Sequence, residues 1–215
     1  AFSMSDGSGL DNDTFDDNCK HILIEDLVSG KLVCCFRMLD FSDGSEIKKS
    51  YSAQYYELSA LCSYKGKLLE LGRFCVHPDV RDPDVLRAAW GAMTNYVDKQ
   101  GIDFLFGCVS FKGTNAELYK DAFAMLREYH LAPRHLRPCV KAPNVFKFAA
   151  EIRGKPDKKV ALHSMPPLLK TYLKMGGWVS DHAVIDNHMN TLHVFTGVEI
   201  NSIPLAWKRF MRALA

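Results

Sequence analysis

Two charged side chains stand inside an otherwise apolar run. Residues 68–76 read LLELGRFCV, with Glu70 and Arg73 set among leucines, Phe74 and Val76. A strand of this composition buries charges only where they are paired or useful. A spacing of three puts Glu70 and Arg73 on opposite faces of a regular strand, so a bulge at Gly72 or separate partners must intervene. Two readings stay open. In one, the charges are structural, with an ion-pair partner in Arg37 or an aspartate of the first segment. In the other, the carboxylate accepts a proton or fixes an amine while the arginine holds an anionic group. Other chemical signatures are missing. The chain has no G-x-x-x-x-G-K-[ST], G-x-G-x-x-G or G-x-S-x-G, which leaves nucleotide cradles and the hydrolase elbow without local support. His182, His188 and His193 do not have the spacing of H-E-x-x-H or a zinc finger, so no metal site is expected. Seven cysteines without a CxxC read as reduced thiols, with Cys75 and Cys108 in the core rather than as covalent nucleophiles.

The elements that must position these residues follow from periodicity. Residues 21–26 and 31–39 read as a hairpin turning at Val28-Ser29-Gly30-Lys31. Residues 41–50 form a polar loop, and 55–61 fit a short helix or strand equally well. The run 68–76 is a buried strand. Val85, Leu86, Ala89, Trp90, Met93 and Val97 predict an amphipathic helix over 84–100, started by Asp82 or Asp84 and ended by Gly101. The run IDFLFGCVSF (102–111) predicts a strand covered on both faces. A helix over 115–130, a strand over 145–152, a turn at 156–159, a helix over 166–175 and a strand over 193–198 follow. A terminal helix over 204–214 turns Leu205, Phe210 and Leu214 inward. Trp90 and Trp178 are expected in packing. The first residues, with Ser5-Asp6-Gly7-Ser8-Gly9, read as loop without a signal peptide. The alternation predicts an α/β protein with a mixed sheet, one domain over 1–215.

Composition excludes several classes. The chain has 215 residues, 47% hydrophobic and 24% charged, so neither disorder nor a fibrous repeat fits, and no apolar run is long enough to cross a bilayer. The net charge of +2 hides an asymmetry. Residues 1–70 carry 7 Lys/Arg against 12 Asp/Glu, whereas residues 112–174 carry 13 against 5. The basic stretch is a statement about partners: an acidic protein, anionic lipid or nucleic acid. It lacks a helix-turn-helix or RRM aromatic signature, so nucleic acid is not expected.

Five segments in one order carry a resemblance: FDDNCKHILI (15–24), CFRML (35–39), Tyr51-Ser52, ELGRFCVHP (70–78) and FGCVSFKGT (106–114). Together with PPLLKTYL (166–173) and AVID (183–186), they resemble the ornithine-lipid N-acyltransferases of the GNAT superfamily. A weaker similarity runs to acyl-homoserine-lactone synthases through Phe15-Asp16, Arg37 and Glu70-x-x-Arg73. Usual members of the family begin with a further strand and helix before the Phe-Asp motif; here the sequence opens at Ala1-Phe2-Ser3-Met4, and that element is expected to be missing, truncated or outside this sequence.

The resemblance implies a GNAT-like fold and an N-acyltransferase moving a (3-hydroxy)fatty acyl group from acyl carrier protein to the α-amino group of ornithine or a similar amino acid. The product would be a lyso-aminolipid, made in the cytoplasm with peripheral contact at the inner membrane. The alternatives are an acyl-homoserine-lactone-synthase-like enzyme and a non-catalytic basic module that binds membrane or protein. No cofactor is expected beyond the acyl-phosphopantetheine of the carrier protein. Glu70 and Arg73 are the catalytic candidates, with Glu70 taking the amine proton. Asp16 and Arg37 are expected at the acceptor, with an internal salt bridge between them as the other reading, and Val76, Arg81, Arg87, Cys108 and Ser110 at the donor. Backbone N–H groups near Val76 or Gly107–Ser110 are expected to meet the oxyanion. The loop after residue 76, HPDVRDPD, has no glycine, two prolines and three aspartates. That repels a pyrophosphate and favours a single phosphopantetheine phosphate, with Arg81 or Arg87 as counter-charge. Lys112, Arg134, Arg137, Lys141 and Lys147 would face the acidic carrier protein. Leu205–Leu214, with Lys208, Arg209 and Arg212, is the candidate membrane contact.

Overall fold

The long hydrophobic strands form the centre of a mixed sheet. The structure is a computed structural model describing residues 12–214; the Ser5–Gly9 loop expectation lies outside them. In chain order come β1 (Lys20–Glu25), β2 (Leu32–Phe41), β3 (Tyr56–Glu57), β4 (Lys67–Val76), α1 (Pro83–Gln100), β5 (Ile102–Lys112), α2 (Lys120–Tyr129), β6 (Cys139–Val140) and β7 (Val145–Phe146). Then follow α3 (Phe148–Glu151), α4 (Lys158–Ser164), α5 (Pro167–Lys174), β8 (Trp178–Val179), β9 (Ala183–Asp186), β10 (Thr191–Glu199) and α6 (Leu205–Arg212). The sheet order is β1-β2-β4-β5-β10-β9-β7, with β8 also on β10, and β3 pairs with β6 in a separate ribbon. Of the main-sheet pairs, β4 with β5 is parallel and the others are antiparallel.

Strand alternation sorts the side chains onto two faces. Phe36, Met38, Leu69, Leu71, Leu105, Val109 and Phe111 pack beneath the helices, against Ala89, Trp90 and Met93 of α1 and Ala122–Leu126 of α2. Phe41, Leu68, Phe104, Phe106 and Phe195 face the other way and are covered by Ile47, Tyr56, Leu58 and Leu61 from the connection between β2 and β4. Arg37, Glu70, Cys108, Ser110 and His193 follow the same alternation onto this second face. Helix α1 starts where the sequence predicts, with the Asp82 side chain accepting from the Asp84 N–H, and ends on Gly101 in the left-handed conformation.

Four expectations are corrected. The strand predicted over 145–152 stops at Phe146, because Phe148 and Ile152, four apart, are both buried as one helical turn requires. The turn read at 156–159 is the start of α4: Asp157 accepts from the N–H groups of Lys159 and Val160 as a helix cap. Helix α6 turns Trp207 and Met211 inward, with Leu214 just beyond it packed as expected, leaving Leu205 71% and Phe210 49% exposed. Cys75 is exposed rather than core. Trp90 and Trp178 are packing residues as expected, Trp178 stacking between Phe104 and Phe195.

Candidate active site

The site begins where the two parallel strands part. Pairing of β4 with β5 runs from Lys67↔Ile102 to Leu71↔Gly107 and goes no further. At that last rung a side chain on residue 107 would place its Cβ 2.3 Å from the Leu71 carbonyl oxygen, so glycine is the residue that lets the strands approach. Beyond it β4 keeps company with β2, but with an extra residue: Arg37 faces Gly72 while Cys35 faces Cys75. Arg73, at φ 53°, takes up the surplus as a bulge. The irregularity demanded by the Glu70/Arg73 spacing therefore sits immediately after Gly72. The bulge bends β4 away from β5, and a cavity of about 260 Å³ fills the wedge.

This cavity passes through the sheet. On the helical side it is walled by Leu71, Val109, Pro167, Leu168 and Tyr172; on the other by Arg37, Tyr51, Cys108, Ser110, Asp186 and His193, with Arg73 also on the wall. An apolar compartment thus opens into a polar one.

Arg37 is 4% exposed. Its Nη1 donates to Asp13 Oδ1 and Asp16 Oδ1 at 2.6 Å each, and its Nη2 to Asp13 Oδ2 at 2.9 Å. Arg73 Nη2 donates to the same Asp13 Oδ2 at 3.0 Å. Burial works against the Asp13 charge, yet the arginine hydrogen bonds outweigh it and hold the carboxyl down at about 2. Burial raises Asp16 as well, and the Asp13 N–H followed by Arg37 more than offsets it, so its carboxyl is lowered. Burial also disfavours the Arg37 charge, and the two aspartates more than reverse it. The guanidinium lies 5.8 Å from the Phe15 ring centre and 5.5 Å from that of Tyr51, so the Phe15–Asp16 motif closes over it.

Glu70 is buried on the same face and is held by residues 51–52. Its Oε2 accepts from the Tyr51 N–H at 2.8 Å, and its Oε1 from the Ser52 N–H at 2.7 Å and the Ser52 hydroxyl at 2.6 Å. Burial pushes its pKa up against the pull of these donors. Cys108 Sγ lies 3.4 Å from the Ser52 hydroxyl and lines the cavity, whereas Glu70 is not on its wall; burial pushes this thiol up to about 12.

Val76, Arg81 and Arg87 lie off the cavity wall. Val76 pairs with Cys34 at the outer end of β4. Arg81 donates to the carbonyls of Pro78 and Val80, and Arg87 pairs with Asp84 one helical turn away. Among the basic residues, Arg137 is engaged with the Ala132 carbonyl and Lys141 with that of Ala53. Lys112, Arg134 and Lys147 are exposed.

The chain is 35% identical over 190 residues to an L-ornithine N(alpha)-acyltransferase of Rhodobacter capsulatus, covering 86% of this chain and 73% of that protein. It belongs to the L-ornithine N(alpha)-acyltransferase family. A Brucella abortus member is 32% identical, over 90% of this chain and 71% of its own length. The acetyltransferase (GNAT) domain model matches residues 2–91 of this family member. Its fold is shared by a CoA-dependent acyl-homoserine lactone synthase, MesI, at TM-score 0.50 and 10% identity, over 99% of this chain and 78% of the synthase. The protein is thus an N-acyltransferase with a GNAT-type fold, and the non-catalytic module is set aside.

Sequence reasoning brought Arg37, Arg73, Cys108 and Ser110 to the cavity and Asp16 to its Arg37. It reached Asp13 only as an unspecified aspartate of the first segment, noted Tyr51 only within a resemblance segment, and gave Asp186 and His193 no role. Asp186 lies within the AVID segment noted for its resemblance. His193 carries a local signal, a histidine interrupting an apolar strand.

Proposed function

We propose that this family member transfers a 3-hydroxyacyl group from the phosphopantetheine thioester of acyl carrier protein to the α-amino group of ornithine, giving a lyso-aminolipid. The observation that carries the reading is the cavity threading the β4–β5 split, apolar on the helical side and charged on the other. An acyl chain fits the compartment of Leu71, Val109, Leu168 and Tyr172. The thioester then lies at the split, where backbone N–H groups of Gly107–Ser110 serve the developing oxyanion. The polar compartment suits a small zwitterion with a second positive charge. Arg73 takes the acceptor carboxylate, beside Asp13. Asp16 and Asp186 supply the negative charge that draws the ammonium groups.

The roles of Arg37 and Glu70 are positional in this reading. Arg37 ties Asp13 and Asp16 over the cavity, and Glu70 ties residues 51–52 beneath it. For the donor, the loop after β4 offers Arg81 and Arg87 as exposed counter-charges but no glycine cradle, which favours a carrier-protein thioester over CoA. Lys112, ending β5 on the side of the sheet where β4 and β5 diverge, is the basic residue best placed to meet the carrier protein. The outward Leu205 and Phe210 of α6, flanked by Arg209 and Arg212, support a peripheral contact with anionic lipid.

Incubation with acyl carrier protein and CoA thioesters, a panel of free amino acids and S-adenosylmethionine, read by mass spectrometry, tests the reading. An ornithine amide formed faster from the carrier-protein donor supports it. An acyl lactone, or no amide from any acceptor, overturns it.

A further inference from the structure

Strand β10 sets His193 opposite Ser110 of β5 and Val184 of β9, with its ring on the polar wall of the cavity although the residue is only 4% exposed. The hydroxyl of Tyr56 donates to the His193 carbonyl oxygen at 2.8 Å and lies 3.2 Å from Nδ1 of the same residue. A phenol has one proton and a carbonyl oxygen can only accept, so that proton belongs to the carbonyl. The phenol oxygen then presents a lone pair to Nδ1, which must carry the imidazole proton. Nε2 is left as the basic nitrogen.

The ring is also kept neutral. Burial lowers it to about 4, against the pull of the Asp186 carboxylate and with the push of His182. The groups facing it are Asp186 and His182 at β9, Tyr55 and Tyr56 around β3, and Cys108 and Ser110 on β5. One Asp186 oxygen accepts the Met189 N–H, and the carboxylate remains part of the cavity wall. The Glu70 carboxylate, by contrast, already holds three donors and is not on the cavity wall.

We propose that His193 is the proton shuttle of the transfer, a catalytic residue, and that Tyr56 is the positioning residue that fixes its tautomer. This rests on the cavity being an amine-acylation site. The acceptor enters as the neutral amine, its ammonium proton already lost to solvent. As the new C–N bond forms, the attacking nitrogen becomes positive and passes a proton to Nε2. As the C–S bond breaks, the imidazolium returns that proton to the departing thiolate. The products are an amide and a neutral thiol, and His193 ends as it began.

Kinetics of His193→Gln and His193→Asn with ornithine, set beside thermal melts and 15N spectra of the wild-type histidines, test the proposal. A folded variant should lose about 100-fold or more in kcat, within the usual range for a general acid–base group, with KM for ornithine changed less than about threefold. The wild-type His193 should show protonated Nδ1 and bare Nε2 from about pH 6 to 8. Tyr56→Phe should lose about tenfold in kcat and mix the tautomers. A folded His193 variant that keeps more than about a third of wild-type kcat overturns the proposal while leaving the acyltransfer reading intact. A wild-type Nε2–H tautomer overturns it even if neither variant folds. Wild-type protein that acylates no amine removes both.

Discussion

Asp13 is the residue on which the charged wall turns, since Arg37 and Arg73 both donate to it. Its carboxyl is held at about 2 rather than the ordinary 3.8. A depressed carboxylate contributes stability that is present above the unfolded value and lost as pH falls through the folded one. Asp13→Asn should therefore be less stable than wild type by about 2 kcal/mol near pH 6, with the gap closing between about pH 4 and pH 2. Denaturant melts across that range check it. Glu70→Gln tests a different dependence. An amide places N–H groups against the donors from Tyr51 or Ser52, at a cost of about 1–3 kcal/mol. Stability and kcat should both fall, and a variant that keeps wild-type stability would break the account of Glu70 as an anchor. At this scale the sequence disclosed that Glu70 and Arg73 needed partners and offered Arg37 or an aspartate of the first segment; the second holds for Arg73, through Asp13, while Glu70 is held by residues 51–52 instead. Asp13, Tyr51 and Ser52 reach them only through the closure of two connections over the sheet, and no local pattern encodes that.

Among the elements, the parting of β4 and β5 is decided by Gly107 and by the bulge at Arg73. Gly107→Ala drives a methyl group into the Leu71 carbonyl. It should cost about 3 kcal/mol or more and lower Tm by roughly 5–10 °C, measured by calorimetry. Activity should fall with it, because the last rung sets the angle of the wedge. An unchanged Tm would mean that the strands close by another route. The long strands and α1 were legible because their hydrophobic periods are long and their caps, Asp82 and Gly101, are explicit. The segment after Val145 was misread because Phe146, Phe148 and Ile152 satisfy alternation and helical spacing together. Asp157 was read as turn chemistry because a helix cap and a turn use the same side chain. The inward face of α6 was assigned to Phe210 rather than its neighbour Met211, a rotation of one residue in a two-turn helix.

Across the whole molecule, charge is divided between an acidic first third and a basic stretch over 112–174. None of the helices among the described residues is long and apolar enough to cross a membrane. If the basic residues steer an acidic carrier protein, KM for its thioester should rise several-fold between about 50 and 300 mM salt, while KM for acyl-CoA changes less than about twofold. Lys112→Glu should raise the first selectively. Equal salt dependence for both donors would remove carrier-protein docking from this surface. The ordered motifs carried the family resemblance along the chain, whereas the passage of the cavity from an apolar to a charged face needed the structure. The central claim is amide formation on an amino acid at that passage. Turnover of ornithine labelled with 15N at the α-position, with the product fragmented in the mass spectrometer, tests it most directly. One acyl group is expected on the labelled nitrogen; acylation of the unlabelled side-chain nitrogen, or no amide at all, would overturn the assignment.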